Sequence, residues 1–287
     1  MSKVFVFDHS RCNGCRNCQL ACKDEHVGTD WLPYALSQPD TGQFWLKLEE
    51  RVRGQVPKVK VAYTPVLCQH CASAPCRDAA EKAGKPDAVY RRDDGLVIFD
   101  PAFSGDLSLA TALVESCPFS AAWLDETRGC AQKCTGCAHL VDAGELPHCV
   151  DVCPHEALRF GEEEDFAAEI AAAGYLLDSE ASAACKPQVY YLNKPKRFIG
   201  GIVVDLEIDE VLIGAKVTLE NLETGDVRAC ETDEFGDFWF QQIDAAHYKV
   251  YVEAQGYMTR VVEASCVHED INIGPVAMSR AFGEAVG

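Results

Sequence analysis

Residues 12–22 read CNGCRNCQLAC and place four cysteines at the spacing C-x2-C-x2-C-x3-C. In iron–sulfur proteins such a run binds one [4Fe–4S] cluster through its first three thiolates and a second cluster through its fourth. Three thiolates on one tight loop reach three corners of a cube, and the chain then turns into a helix that carries the fourth away. Taken alone, the same spacing also fits a zinc site or a disulfide framework.

Composition narrows the class of protein. The chain has 287 residues, of which 48% are apolar and 16 are cysteines, and its formal net charge is −19. Disulfide scaffolds are usually short secreted chains, and nucleic-acid binding domains are usually basic, so neither class fits. We recognise no signal peptide, twin-arginine motif or long apolar run in the sequence. We expect a cytoplasmic protein or, alternatively, one at the outer face of the cytoplasmic membrane after co-export with a signal-bearing partner.

A second cysteine group lies at residues 68–76, which read CQHCASAPC with the spacing C-x2-C-x4-C. A fourth cysteine is expected at position 80, but Ala80 stands there. We interpret His70, inside the group, as a ring that hydrogen-bonds near a cluster sulfur, with metal ligation as the alternative.

A third group survives only as Cys117 followed by Pro118. A complete run ending there would have cysteines at three earlier positions, which are occupied by Leu107, Ala110 and Leu113. We expect these apolar side chains to fill the volume of an absent cluster.

The fourth group has the spacing C-x2-C-x11-C-x3-C-P and comprises Cys134, Cys137, Cys149 and Cys153. Cys130 stands just upstream of it. The spacing C-x3-C-x2-C would put Cys130 out of phase with the other three-cysteine loops, so we interpret it as a bystander.

The four groups interlock when they are paired from the outside in, as in nested ferredoxin-like halves. The last cysteine of each run then binds the cluster held by its partner's first three. All the missing thiols fall on one of the four resulting sites, so the pattern predicts three [4Fe–4S] clusters. Their twelve ligands are Cys12, Cys15, Cys18 and Cys153 at site one, Cys68, Cys71, Cys76 and Cys117 at site two, and Cys134, Cys137, Cys149 and Cys22 at site three.

Four cysteines stay outside this pattern, namely Cys130, Cys185, Cys230 and Cys266. Zinc remains the alternative for any single C-x2-C pair, but it explains neither the two Cys-Pro endings nor the interlocking count. The sequence offers no nucleophile–base pair or phosphate-binding loop, so we predict no catalytic residues.

The sequence pattern changes near residue 200. From Gly200 onward short alternating strands follow one another without helices, and this part holds 17 acidic and 5 basic residues, a balance of −12. We therefore predict an α+β fold with two domains. Residues 1–195 form a nested, bacterial-ferredoxin-like cluster domain, and residues 196–287 form an all-β sandwich.

Several local elements are expected within these domains. The first should contain a strand at its start, a helix over 162–173, an Asp-Gly hairpin over 88–99 and an extended strap over 186–192. The sandwich should contain strands at 201–204, 215–219, 238–240, 248–252 and 260–262.

The motifs resemble those of a known family. Residues 1–195 resemble the iron–sulfur subunits that accompany molybdopterin enzymes of the dimethyl sulfoxide reductase family, whose members commonly carry four clusters. This chain departs from them by lacking one. Within the family the resemblance is greatest to the small subunits of pyrogallol–phloroglucinol transhydroxylases, on residues 22–26 (CKDEH), 68–76 and 131–140 (AQKCTGCAHL). Residues 200–280 resemble a carboxypeptidase-regulatory or prealbumin-like sandwich.

The resemblance implies an electron-transfer subunit that is not an enzyme by itself. It implies a large partner subunit with molybdenum or tungsten on a bis-pterin guanine dinucleotide cofactor. It also implies phenolic substrates, for hydroxyl transfer or for dehydroxylation of catechols. The alternatives are a stand-alone polyferredoxin with a docking β-domain, a subunit of a molybdopterin reductase for a non-phenolic substrate, and a structural protein held together by zinc. We expect no nucleic-acid partner and no direct membrane insertion.

Overall fold

A computed structural model describes residues 2–177 and 179–281 of the chain. The chain separates into two compact units. The first comprises Met1–Glu50 and Tyr63–Lys194, and the second comprises Arg51–Ala62 and Pro195–Gly287. The sequence analysis did not anticipate that residues 51–62 belong with the C-terminal part.

The elements before residue 195 are short and alternate between strands and helices. In chain order they are β1 (Lys3–Asp8), α1 (Asn17–His26), β2 (Lys47–Gln55), β3 (Lys58–Val66), α2 (Pro75–Lys82), β4 (Val89–Arg91), β5 (Val97–Phe99), α3 (Leu107–Glu115), β6 (Ala122–Asp125), β7 (Cys130–Lys133), α4 (Ala138–Asp142), α5 (His148–Asp151), β8 (Leu158–Glu162), α6 (Glu163–Ala173), β9 (Gly174–Tyr175), α7 (Ser179–Cys185) and β10 (Val189–Leu192).

Strand β1 lies at the centre of the first unit. It pairs in parallel with β10 and antiparallel with β8, in a four-stranded sheet of order β8-β1-β10-β9. Its residues Val4, Phe5, Val6 and Phe7 are all buried, and β-branched and aromatic residues of this kind favour strands. Of the strap expected at 186–192, residues Val189–Leu192 therefore form a strand of this sheet.

Helix α1 begins directly after the first two cysteines of the chain. Arg16, which precedes it, adopts a left-handed conformation with φ 64°. The helix carries Cys18 and Cys22, and residues four apart lie one above the other on the same face of a helix. This single turn therefore holds one predicted ligand of site one and one of site three.

Other local predictions for the first unit are confirmed. Strands β4 and β5 form the antiparallel hairpin, with Gly95 in its turn at φ 91°. Such a positive φ is accessible to glycine at little steric cost. Helix α6 starts one residue later than predicted.

The second unit is built mainly from two four-stranded sheets, as the sequence predicts for a sandwich. Its strands are β11 (Arg197–Asp205), β12 (Glu210–Val211), β13 (Lys216–Asn221), β14 (Val227–Glu231), β15 (Asp237–Ile243), β16 (His247–Glu253), β17 (Arg260–Ser265) and β18 (Ile271–Ala277). One sheet has the order β12-β11-β15, with β18 paired to β11, and the other has the order β14-β13-β16-β17. Their inner faces share an apolar core that includes Val217, Phe238 and Val250.

Residues 51–62 contact the sandwich strands through two ion pairs, each with one buried partner. The Arg53 guanidinium donates two hydrogen bonds, of 2.8 and 2.7 Å, to the carboxylate of Asp270, which also accepts the Phe198 N–H. The buried Lys58 ammonium forms an ion pair with Asp237, and it lies 5.2 Å from the ring centroid of Trp239. These charges hold residues 51–62 within the second unit.

In the part of the chain that the structure describes, no helix combines the length and apolarity needed to cross a membrane.

The Arg53→Met variant should destabilise the second unit by about 3–5 kcal/mol, because it leaves the buried Asp270 carboxylate without its counter-charge. Hydrogen-exchange mass spectrometry on peptides from β11 and β18 measures this change. The control is Lys249→Met. The Lys249 ammonium lies 4.0 Å from the Glu263 carboxylate at the surface, so its removal should change the free energy of unfolding by less than about 1 kcal/mol. Equal exchange in the two variants would contradict the structural role of this pair.

Candidate iron–sulfur sites

Site one combines the loop before α1 with a cysteine that follows α5. Its cysteines Cys12, Cys15, Cys18 and Cys153 line one cavity. Cys15 is exposed and the other three are half-buried. Burial raises the pKa of Cys18 to about 12, and the nearby thiolates of Cys12 and Cys153 act in the same direction. The structure therefore brings together the four residues predicted for this site.

A glycine shapes the loop of site one. Gly14 has φ 78°, and a Cβ atom there would lie 2.3 Å from the ring of Tyr63. A side chain at this position would meet both backbone strain and the Tyr63 ring. The Asn13 carboxamide oxygen accepts the Cys15 N–H at 3.1 Å, which tightens the turn between the first two cysteines.

Site two gathers its cysteines from the segment that leads into α2 and from the turn after α3. Cys68, Cys71, Cys76 and Cys117 line a second cavity, together with Lys133. Burial raises the pKa of Cys76 to about 12. Burial also raises the pKa of Cys71, and the other three cysteines of the site add to that effect.

Site three is the most enclosed of the three. Cys22, Cys134, Cys137 and Cys149 are all buried. Burial, followed by the nearby thiolates of Cys137, Cys22 and Cys134, raises the pKa of Cys149 well above its usual value. These four residues come from α1, from the segment between β7 and α4, and from α5, so the site depends on elements distant in sequence.

Site three neighbours both of the others. The Cys18 thiolate of site one contributes to the raised pKa of Cys149, after burial and the thiolates of site three itself. Burial raises the pKa of Cys134 to about 12, and the Cys68 thiolate of site two is the next cause. Cys18 and Cys68 also pack against the core that contains Cys22, Cys134 and Cys149. Site three therefore adjoins both of the other sites, and we take the order as one, three, two.

A backbone N–H donates to one sulfur of each site. Ala157 N–H lies 3.3 Å from Cys153 Sγ, His70 N–H lies 3.4 Å from Cys68 Sγ, and Gly136 N–H lies 3.3 Å from Cys134 Sγ. Donors of this kind stabilise the thiolate rather than the neutral thiol. This donor arrangement fits a group that binds through thiolates.

Two buried histidines lie beside the sites. His26 Nε2 is 3.6 Å from Cys137 Sγ, and burial lowers the pKa of His26 to about 3. The His70 ring accepts the Val97 N–H at Nδ1, at 3.0 Å, which leaves its buried Nε2 without a protein partner. The sulfur contact of His70 is made by its backbone, whereas the sequence analysis expected it from the ring.

The cysteine sets fit [4Fe–4S] clusters, which are held by four thiolates. Each set supplies four cysteines, none of the twelve is in a disulfide, and two of the sets surround cavities. The described residues contain no group of three or more His, Cys, Asp or Glu side chains placed to hold a single metal ion. The twelve cysteines of sites one, two and three would hold the clusters.

The position of the missing fourth site is largely apolar. Ala80, Ala110 and Leu113 are buried, and Ala80 and Leu113 pack in one core with Val89. Leu107 is different, because it is 49% exposed in the first turn of α3. The expectation that Leu107 fills the absent volume was therefore wrong, since its side chain faces solvent.

The remaining cysteines lie in three different environments. Cys130 is buried in β7 and does not belong to the three sets, while Cys230 and Cys266 lie in the second unit. Cys185 is buried against Cys71 of site two. The sequence analysis missed this contact, because no spacing rule links position 185 to the second cysteine group.

Comparison with known proteins places the chain in a family. It is 34% identical over 261 residues to the pyrogallol hydroxytransferase small subunit of Pelobacter acidigallici, a match covering 88% of this chain and 90% of that one. The chain belongs to the iron–sulfur small subunits of the dimethyl sulfoxide reductase family of molybdopterin enzymes. It is also 33% identical over 172 residues to one subunit of the anaerobic dimethyl sulfoxide reductase of Escherichia coli, a match covering 55% of this chain and 72% of that subunit.

Two domain families match within this small subunit. Residues 59–163 match the 4Fe-4S dicluster domain, and residues 199–272 match the carboxypeptidase regulatory-like domain. A third relative is the beta subunit of formate dehydrogenase from Megalodesulfovibrio gigas, 29% identical over 170 residues, covering 56% of this chain and 77% of that one. The family resemblance and the α+β fold with a C-terminal β-domain are confirmed. The chain is an iron–sulfur electron-transfer subunit of a molybdopterin oxidoreductase.

The Cys117→Ser variant should lose iron from site two alone, about four of roughly twelve atoms per chain, because only that site receives this thiolate. Iron and sulfide analysis with electron paramagnetic resonance measures the loss. The control is Cys130→Ser, which removes a buried thiol outside the three sets and should keep all the iron. Equal depletion of the three sites in Cys117→Ser would refute the pairing.

Proposed function

We propose that this small subunit binds three [4Fe–4S] clusters, at sites one, two and three, and transfers electrons for a large molybdopterin subunit that acts on phenolic compounds. The observation that carries the proposal is the convergence of twelve cysteines into three sets of four. The large subunit would hold molybdenum or tungsten on bis-pterin guanine dinucleotide. The small subunit would contribute no catalytic residue.

The residues of the three sites have defined tasks in this proposal. When bound, [4Fe–4S] clusters exchange single electrons at potentials set by charge, hydrogen bonds and solvent exposure. The twelve thiolates fix the positions of the sites, and backbone N–H groups such as that of Gly136 stabilise the thiolate charge. The burial of all four cysteines of site three excludes water from the middle of the series.

The order of the sites supports the transfer of electrons along the series rather than the storage of electrons. Site one reaches the surface at the exposed Cys15, and three of the four cysteines at site two are half-buried. Site three lies between them and is closed. Electrons would therefore enter at one end of the series and leave at the other, through a middle site shielded from solvent.

Phenolic chemistry is the finer part of the proposal. It is supported by the relative from Pelobacter acidigallici, whose name is that of a pyrogallol hydroxytransferase and whose match extends over 88% of this chain. Hydroxyl transfer between two phenols moves no net electrons. Reductive dehydroxylation of a catechol consumes two electrons and two protons, and it releases water. The small subunit would adjust the redox state of the metal in the first case and supply the electrons in the second.

The experiment is purification of the native complex through an affinity tag on the small subunit. We expect a large subunit to co-purify, with molybdenum or tungsten and pterin, and about twelve iron atoms per small subunit. A small subunit that purifies alone, with reducible clusters but without either metal, would favour a stand-alone polyferredoxin. Colourless protein with zinc would contradict the whole proposal.

The same complex distinguishes the two reactions. It is incubated anaerobically with pyrogallol or with a catechol, each with and without a second phenol as hydroxyl donor or acceptor, and with and without a reduced viologen dye. Consumption of two dye electrons per product indicates dehydroxylation, whereas turnover that needs no dye indicates hydroxyl transfer. Activity on sulfoxides or formate alone would contradict the phenolic assignment while leaving the electron-transfer role in place.

A further inference from the structure

Lys133, the last residue of β7, is a buried cation with no carboxylate partner. Its side chain is almost fully buried, with the residue 3% exposed. Its Nζ donates to the carbonyl oxygens of Val97 and, at 3.2 Å, of Cys134, and it lies 5.0 Å from the ring centroid of Phe99. Within residues 2–177 and 179–281, no carboxylate forms an ion pair with it.

An ammonium group that is buried without a carboxylate partner is energetically costly. Carbonyl oxygens satisfy its N–H donors, but they do not neutralise its charge. The chain provides a direct contrast in Lys58, which is also buried but has the carboxylate of Asp237 as its partner. The counter-charge of Lys133 must come from another kind of group.

The groups that face Lys133 are cysteine sulfurs, which are anionic when they bind a cluster as thiolates. The residue lines the same cavity as the four cysteines of site two. Burial raises the pKa of Cys76, and the Lys133 ammonium is the largest opposing influence. Burial likewise raises the pKa of Cys134 of site three, and Lys133 again opposes the rise. Lys133 therefore acts on both sites from the position where they adjoin.

A second buried polar group lies in the same place. Val97 connects the two, because its carbonyl accepts from Lys133 and its N–H donates to His70 Nδ1. With Nδ1 as acceptor, a neutral imidazole carries its proton on Nε2, and this buried Nε2 has no protein partner. An ammonium and an unpartnered imidazole donor are thus joined through Val97, next to the second cysteine group in which His70 stands.

We propose that the clusters bound at sites two and three supply the negative charge that compensates the Lys133 ammonium. In turn, this ammonium raises the reduction potentials of both clusters. The inference rests on the proposed function, because it requires clusters at these sites. Reduction of a cluster adds one electron and therefore one negative charge, and the nearby ammonium lowers the free energy of that added charge. No bond is made or broken in this step.

The test is a potentiometric titration of the native complex with dithionite as the reductant, followed by electron paramagnetic resonance. In Lys133→Met we expect the ratio of reduced to oxidised cluster at sites two and three to fall at least tenfold at a fixed potential. For a one-electron couple this corresponds to a shift of about 59 mV. Site one, which Lys133 does not line, should titrate as in the wild type. Lys133→Arg keeps the charge and should restore the potentials towards those of the wild type.

Two further variants make the outcome decisive. Lys85→Met removes a lysine that is paired with Asp106 away from the sites, and it should leave all three potentials unchanged. Lys133→Gln replaces Lys133→Met if the latter retains too little iron. Unchanged potentials at sites two and three in an uncharged variant with full iron would overturn the inference. So would iron loss from all three sites in both uncharged variants, because it would indicate a general folding role.

Failure of this inference is distinguishable from failure of the proposed function. A wild-type complex without about twelve iron atoms, or without a metal-bearing large subunit, would contradict the proposed function before any variant is compared. A wild-type complex with the expected metals but with potentials insensitive to Lys133 would contradict this inference alone.

Discussion

The structure of the first unit depends on bringing twelve thiol groups together in sets of four, all but Cys15 being buried or half-buried. Thiolates are costly to bury unless a positive charge, a hydrogen-bond donor or a metal compensates them. Burial accordingly raises the pKa of the Cys18, Cys76, Cys134 and Cys137 thiols to about 12. Backbone N–H groups and a few buried polar side chains supply part of the compensation. The proposed clusters would supply the rest, and folding would then be coupled to metal binding.

The local parts of this arrangement follow from spacing. A short loop determines which thiols converge, as with Cys12 and Cys15, and the turn of α1 determines that Cys18 and Cys22 point to adjacent sites. The long-range pairing came from a different kind of argument, the outside-in pairing of nested ferredoxin-like halves, after which all the missing thiols fell on one site. Cys153 and Cys117 were assigned in this way, and the structure places each of them in a cavity with the three cysteines predicted as its partners.

Other features could not be predicted because they produce no pattern in the sequence. Strand β14 is largely exposed along its length, so it lacks the alternation of apolar and polar residues that signals a half-buried strand. Residues 51–62 are rich in charge, and their place in the second unit depends on ion pairs with distant partners such as Asp270. The contact between Cys185 and Cys71, and the lack of a carboxylate beside Lys133, are equally properties of the tertiary structure.

The position of β1 has a consequence for how the protein is made. This strand is the first element of the first unit, yet its partners β8 and β10 both come after Cys153, the last of the twelve predicted ligands. During synthesis on the ribosome, the central sheet cannot close until every one of these cysteines has been translated. Closure of the central sheet therefore comes only after all twelve predicted ligands are present in the chain.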